Sequence, residues 1–151
     1  MDCGSSILRL SAGVCLVIGI LFTTTGLTPR LSAQERALQW EGHYRLLDGK
    51  VQGKPLDDAA RKANYQIDAK AITIQGNGVK FVIHYRLDTS MEPIGIDMVI
   101  TQGPEGTKGS KALGIVAFDG KQVKLAYTMS DKRPMDFSGK EGMYFLLEKL
   151  K

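Results

Sequence analysis

The chain of 151 residues has only two cysteines, Cys3 and Cys15, and both fall within its first fifteen residues. Everything downstream is therefore without disulfide, thiol nucleophile or cysteine metal ligand, and a fold there must rest on ordinary core packing. Histidine is equally scarce: His43 and His84 lie in separate segments and make no metal-site spacing. Neither a metal nor another cofactor is expected. There is no Gly-x-Ser-x-Gly elbow to present a nucleophile. The stretch Gly103 to Lys111 is rich in glycine and lysine but lacks the Gly-x-x-x-x-Gly-Lys-Ser/Thr register of a phosphate loop, and it joins strand to strand. Asp57-Asp58 is an acidic pair without the further oxygen ligands that calcium needs. No lysine or arginine cluster interleaves with aromatics, so no nucleic-acid partner is expected.

Long apolar runs are also missing. The longest, Leu10 to Phe22, is about thirteen residues, within the roughly 7–15 of an export-signal core and short of the roughly 20 of a membrane-spanning helix. Arg9 precedes it and Leu31-Ser32-Ala33 supplies the small residues a signal peptidase accepts. Residues 1–33 are expected to be a cleaved signal peptide, with an uncleaved N-terminal anchor as the alternative. A lipidated Cys15 is disfavoured because Val14, not a small residue, precedes it. The expected product is a secreted or periplasmic domain of residues 34–151, with no stable membrane span after cleavage. Residues 1–33 hold Arg9 and Arg30 against Asp2, so 18 basic and 15 acidic side chains remain, a net charge of +3.

What the rest of the chain has in abundance is a period of two. In Val79 to Leu87 every odd position is apolar or aromatic, and since successive strand side chains point to opposite faces, this is a half-buried strand. The same alternation runs through Ile94, Ile96, Met98 and Ile100, through Val123, Leu125, Tyr127 and Met129, and through Met143, Phe145 and Leu147. Asn77-Gly78 and Asp119-Gly120 accept the positive φ of tight hairpin turns. Strands are expected at about 41–48, 64–68, 71–76, 79–88, 94–102, 111–118, 121–129 and 143–150. Asp48-Gly49 reads as a bulge or a turn, so the first strand has the option of continuing to Gln52. The only helical window is Leu56 to Ala63, with Pro55 near its start and acidic residues in its first turn. Eight short strands with one apolar face each have exposed edges that closure removes. The expected fold is all-β, an eight-stranded antiparallel up-and-down barrel with at most one short helix.

Consecutive motifs add a family likeness. Gly42 to Leu47, Gly53-Lys54-Pro55-Leu56, Pro93 with Ile96-Asp97, Gly103-Pro104-Glu105-Gly106, Val123 to Tyr127 and Arg133-Pro134-Met135-Asp136-Phe137 occur in the order in which they stand in a family of small bacterial domains abundant in planctomycetes. The chain resembles that family from about Leu38 to Lys151, with Tyr44 where most members carry tryptophan. The resemblance implies a lipocalin-like barrel and brings no assigned activity.

An eight-stranded barrel is filled by its own side chains or is just wide enough for one small ligand. The expected lining comprises Phe81, Ile83, Tyr85, Ile96 and Met98 in the middle strands, then Leu125, Tyr127 and Phe145. This set suits a small apolar or amphipathic ligand as well as it suits a plain core. The alternative is a filled barrel that contacts a cell-envelope protein or a polysaccharide. Asp97 alternates with Ile96 and Met98 and is expected on the outer face, paired with Arg133 or Lys132; an enzymatic use of Asp97 is the weakest of the three. Arg133 is expected to clamp carbonyls or a carboxylate across the barrel's end, or to grip an anionic head group.

Overall fold

Alternation decides the architecture, because a strand with one apolar face must turn that face toward a shared interior. A computed structural model describes residues 39–151; the expected export segment lies outside them. Nine strands form one antiparallel sheet: β1 Gly42–Val51, β2 Lys54–Pro55, β3 Asn64–Ile67, β4 Ala71–Gly76, β5 Val79–Asp88, β6 Ile94–Gln102, β7 Lys111–Phe118, β8 Gln122–Thr128 and β9 Met143–Lys149. Each strand from β3 to β9 pairs with its sequence neighbour, β1 pairs with β3, and β1 also pairs with β9. The result is a closed eight-stranded up-and-down barrel, with the two-residue β2 as a ninth strand folded back on the end of β1. Closure leaves no long unpaired edge.

The register carries the apolar faces inward around the whole ring. Ile74 sits opposite Phe81, Tyr85 opposite Met98, Met98 opposite Ala112, Leu125 opposite Phe145, and Leu147 opposite Leu46. Strand β1 runs past Asp48 to Val51 by means of a register shift between Leu46 and Asp48 against β9. Such a bulge re-aims the strand while keeping it paired. Arg45 and Glu148, opposite each other in this seam, form an ion pair on its outer face, where exposure holds its contribution to about 0–1 kcal/mol. At the β4–β5 turn, Asn77 and Gly78 have φ of 52° and 76°, both in the left-handed region that the sequence signal anticipates.

One end of the barrel is plugged. Trp40, 2% exposed, packs edge-on against Tyr85 with ring centroids 4.8 Å apart and tilts on Phe118 at 5.4 Å. Its indole N–H donates to the Tyr85 hydroxyl at 3.1 Å, and that hydroxyl donates to the Asp68 carbonyl at 2.6 Å. The Asp68 carboxylate in turn accepts from the Lys70 and Ala71 amides at 2.8 and 2.9 Å, fixing the β3–β4 turn. Above this plug Ile96, Val116, Val123 and Leu147 are nearly or wholly buried, so this half of the interior is filled.

The helix is shorter than its sequence window. Helix α1 covers Asp58–Arg61, and the Asp57 carboxylate caps it by accepting from the Ala60 amide at 2.9 Å. It lies between β2 and β3 at the end of the barrel opposite Trp40.

Candidate functional site

Small side chains at that second end leave the barrel unfilled. Ala59 and Ala60 of α1, with Leu56 before it and Ala63 after it, roof the interior. Ala112 on β7 fills little of the wall below. Between them lies a cavity of about 570 Å³, within the range of roughly 300–1,000 Å³ of small-molecule sites. Val79 and Met129, 39% and 52% exposed, stand at its mouth together with Asn77, Pro104 and Ser110.

Of the residues expected to line the barrel, Phe81, Ile83, Met98, Tyr127 and Phe145 border the cavity. Tyr85, Ile96 and Leu125 do not, although they face inward: they belong to the filled half, where Ile96 is fully buried. Alternation shows which face a residue takes but not its height along the barrel axis. Tyr65, Ile74, Ile100 and Met143 also line the cavity. Their alternating positions carry that signal, while the roof over the cavity has none beyond the small apolar residues in and around α1. Three methionines among the lining, Met98, Met129 and Met143, give the wall an adaptable surface.

The polar groups in this apolar space are few and specific. Phe145 stacks parallel to Tyr127 at 5.8 Å and tilts on Tyr65 at 6.2 Å, so one aromatic row holds both tyrosines against the cavity. The Tyr65 hydroxyl donates to the Ala60 carbonyl at 3.1 Å and so ties the roof to the wall. Burial pushes the Tyr65 phenol up to about 12. Burial raises Tyr127 further, with the neighbouring Tyr65 adding to the effect. Both are neutral phenols at ordinary pH. None of the residues that line the cavity is an Asp, Glu, Lys, Arg or His.

Asp97 and Arg133 lie elsewhere. Asp97 faces outward opposite Arg86 of β5 and Leu113 of β7, as its alternation requires. Arg133 donates from Nη2 to its carboxylate at 2.6 Å and from Nη1 to the carbonyls of Ile96, at 2.9 Å, and Gly114. Arg86 approaches the second carboxylate oxygen at 3.6 Å. The expected clamp thus exists, but it grips the outer wall at β6 and β7 and not the barrel's end. The reason is the course of the β8–β9 loop, which doubles back along the outside and buries Pro134 and Gly139. Backbone bonds from Gln52 to Gly142 and from Gly53 to Gly139 pin that loop. Lys132 contributes its carbonyl, which accepts from Thr128 Oγ1. His43 and His84 are exposed on β1 and β5, and no group of three His, Cys, Asp or Glu side chains fit to hold a metal occurs among the described residues.

Fold and site together define a class: a small closed up-and-down barrel, plugged at one end and hollow under a helical roof at the other. Comparison of the chain with protein-family models, with curated proteins and with solved structures returns no match.

Proposed function

We propose that the protein is an exported, non-enzymatic binding module that holds one small apolar or amphipathic molecule in the roofed half of its barrel. The observation that carries this reading is the cavity of about 570 Å³ beside a half whose interior is occupied by Ile96, Val116, Val123 and Leu147. Native interiors are close-packed, with few voids larger than a water, so a space of this size is a departure that a ligand explains. The apolar lining favours an occupant that is itself mostly apolar. The cavity also weighs against the filled-barrel reading, in which an outer face alone contacts an envelope protein or polysaccharide. Asp97, held by two arginines on the far side of the wall from the cavity, lends nothing to an enzyme.

Export rests on the signal-like residues 1–33 and places the ligand outside the cytoplasm. Membership in the family of small bacterial domains rests on the motifs from Gly42 to Phe137, and the barrel agrees with the fold that family implies. Native mass spectrometry of the protein purified from its own host tests the binding reading. A reproducible added mass, released by denaturation, is the expected result. Absence of added mass, together with failure to take up a neutral fluorescent apolar dye, would refute it.

A further inference from the structure

Most of the cavity wall is hydrocarbon and aromatic ring, which attracts apolar molecules without choosing among them. Choice comes from polar groups: Ser110 and Asn77 stand at the mouth, and two phenol hydroxyls belong to the wall within. The one on Tyr65 has spent its proton on the Ala60 carbonyl of the roof. The one on Tyr127 makes no hydrogen bond to any described residue, although its ring is enclosed by the wall and stacked on Phe145. Tyr127 lies on the inward face of β8 with Val123 and Leu125 and lines the cavity, and no side-chain oxygen or nitrogen among the described residues is both shut off from space and unpartnered. A phenol is a better donor than acceptor, because its lone pairs delocalise into the ring. A phenol donor with no protein partner, set in an apolar wall, is free to donate to an acceptor on whatever occupies the space.

Resting on the binding reading above, we propose that the ligand carries a neutral carbonyl-type oxygen, as in a ketone, ester or amide, and that the Tyr127 hydroxyl donates to it. The rest of the ligand is hydrocarbon, lying against Phe81, Ile83, Met98 and Ile100. A carboxylate in that position is rejected, since no lining residue carries a positive charge and an unpaired buried anion is expensive. The parallel stack on Phe145 holds the phenol ring in one orientation, and the Tyr65–Ala60 bond keeps the roof closed over it.

The test uses the full chain and three probes: a medium-chain methyl ketone, the alkane of matching length and the matching carboxylic acid at neutral pH. Affinity is read by displacement of a neutral fluorescent apolar dye. Tyr127→Phe keeps the ring and its stack and removes only the hydroxyl. It is expected to weaken the ketone about ten-fold, which at 1.4 kcal/mol per decade is within the range of one hydrogen bond to a buried donor. The alkane is expected to change by less than about two-fold, as no hydrogen bond to it is lost. Equal weakening of ketone and alkane, or no weakening of either, overturns the proposal, as does an acid that binds as tightly as the ketone and depends on Tyr127. If the unaltered protein takes up the dye but none of the three probes displaces it, this proposal falls and the binding reading stands; if it takes up no dye and carries no added mass, the binding reading falls and takes this one with it. A second measurement needs no variant: the infrared carbonyl stretch of the bound ketone is expected below its frequency in liquid alkane, and an unshifted band overturns the proposal.

Discussion

Filling the hollow should stabilise the protein, the opposite of what enlarging a core residue normally does. Ala112 is the place to do it: it is 7% exposed, lies opposite Met98 on the inward face of β7, and borders the cavity. Ala112→Leu adds three carbons that find empty space. At about 0.8 kcal/mol for each buried methylene the gain is at most about 2.4 kcal/mol. The leucine loses roughly 0.5–1 kcal/mol of rotamer freedom, so the net is about 1–2 kcal/mol. For a domain of this size that is a rise in Tm of about 4–8 °C. Urea unfolding followed by circular dichroism and by Trp40 fluorescence measures it. Trp40 is the only tryptophan and sits at the plugged end, so an occupant of the cavity leaves its signal to report folding alone. The same variant should lose affinity for the apolar dye. Destabilisation by about 1–3 kcal/mol, the usual cost of overpacking, would show that the interior is already filled at Ala112 and would refute the reasoning.

The plugged half should respond in the conventional direction, with Trp40→Ala costing about 3–5 kcal/mol in the same urea experiment. On the outer wall, Arg133→Met removes one ion pair and two hydrogen bonds to carbonyls and should cost about 1–3 kcal/mol, softened by the partial exposure of Asp97. A double-mutant cycle with Asp97→Asn should return a coupling of about 0.5–3 kcal/mol, and additivity would dissolve the proposed pair. High pH should unfold the barrel. Burial raises Tyr44, Tyr65 and Tyr85 to about 12 from the ordinary 10, so the stability these neutral phenols confer is intact below pH 10 and is lost as pH climbs through 12. Tyrosinate absorbance and circular dichroism recorded along one titration should change together in that window; free titration near 10 with the fold intact would contradict the burial.

Much of this fold is legible residue by residue. The alternation in Val79 to Leu87 puts Phe81, Ile83 and Tyr85 on one face, and the structure turns that face inward. Asn77-Gly78 marks a hairpin because few other residues accept its dihedral angles. Asp97 is readable as outward by parity alone. The bulge at Leu46 and the return strand β2 were less legible, since they depend on how β1 must bend to meet β9 and close the ring. The direction of Arg133 was illegible in another sense: its partner carbonyls on β6 and β7 are 37 and 19 residues away, and only the course of the β8–β9 loop brings them within reach.

An all-β barrel, the residues that face its interior and the absence of cysteine from residues 39–151 can all be read from the chain. Those properties follow from local periodicity and from the chemistry a residue type does or does not possess. Where the interior is full and where it is hollow comes from the three-dimensional arrangement. Height along a barrel axis is set by strand tilt, by register against partners distant in sequence, and by what roofs or plugs each end. Tyr85 and Tyr127 share the same alternation, yet one closes a packed floor beneath Trp40 while the other faces open space beside Tyr65.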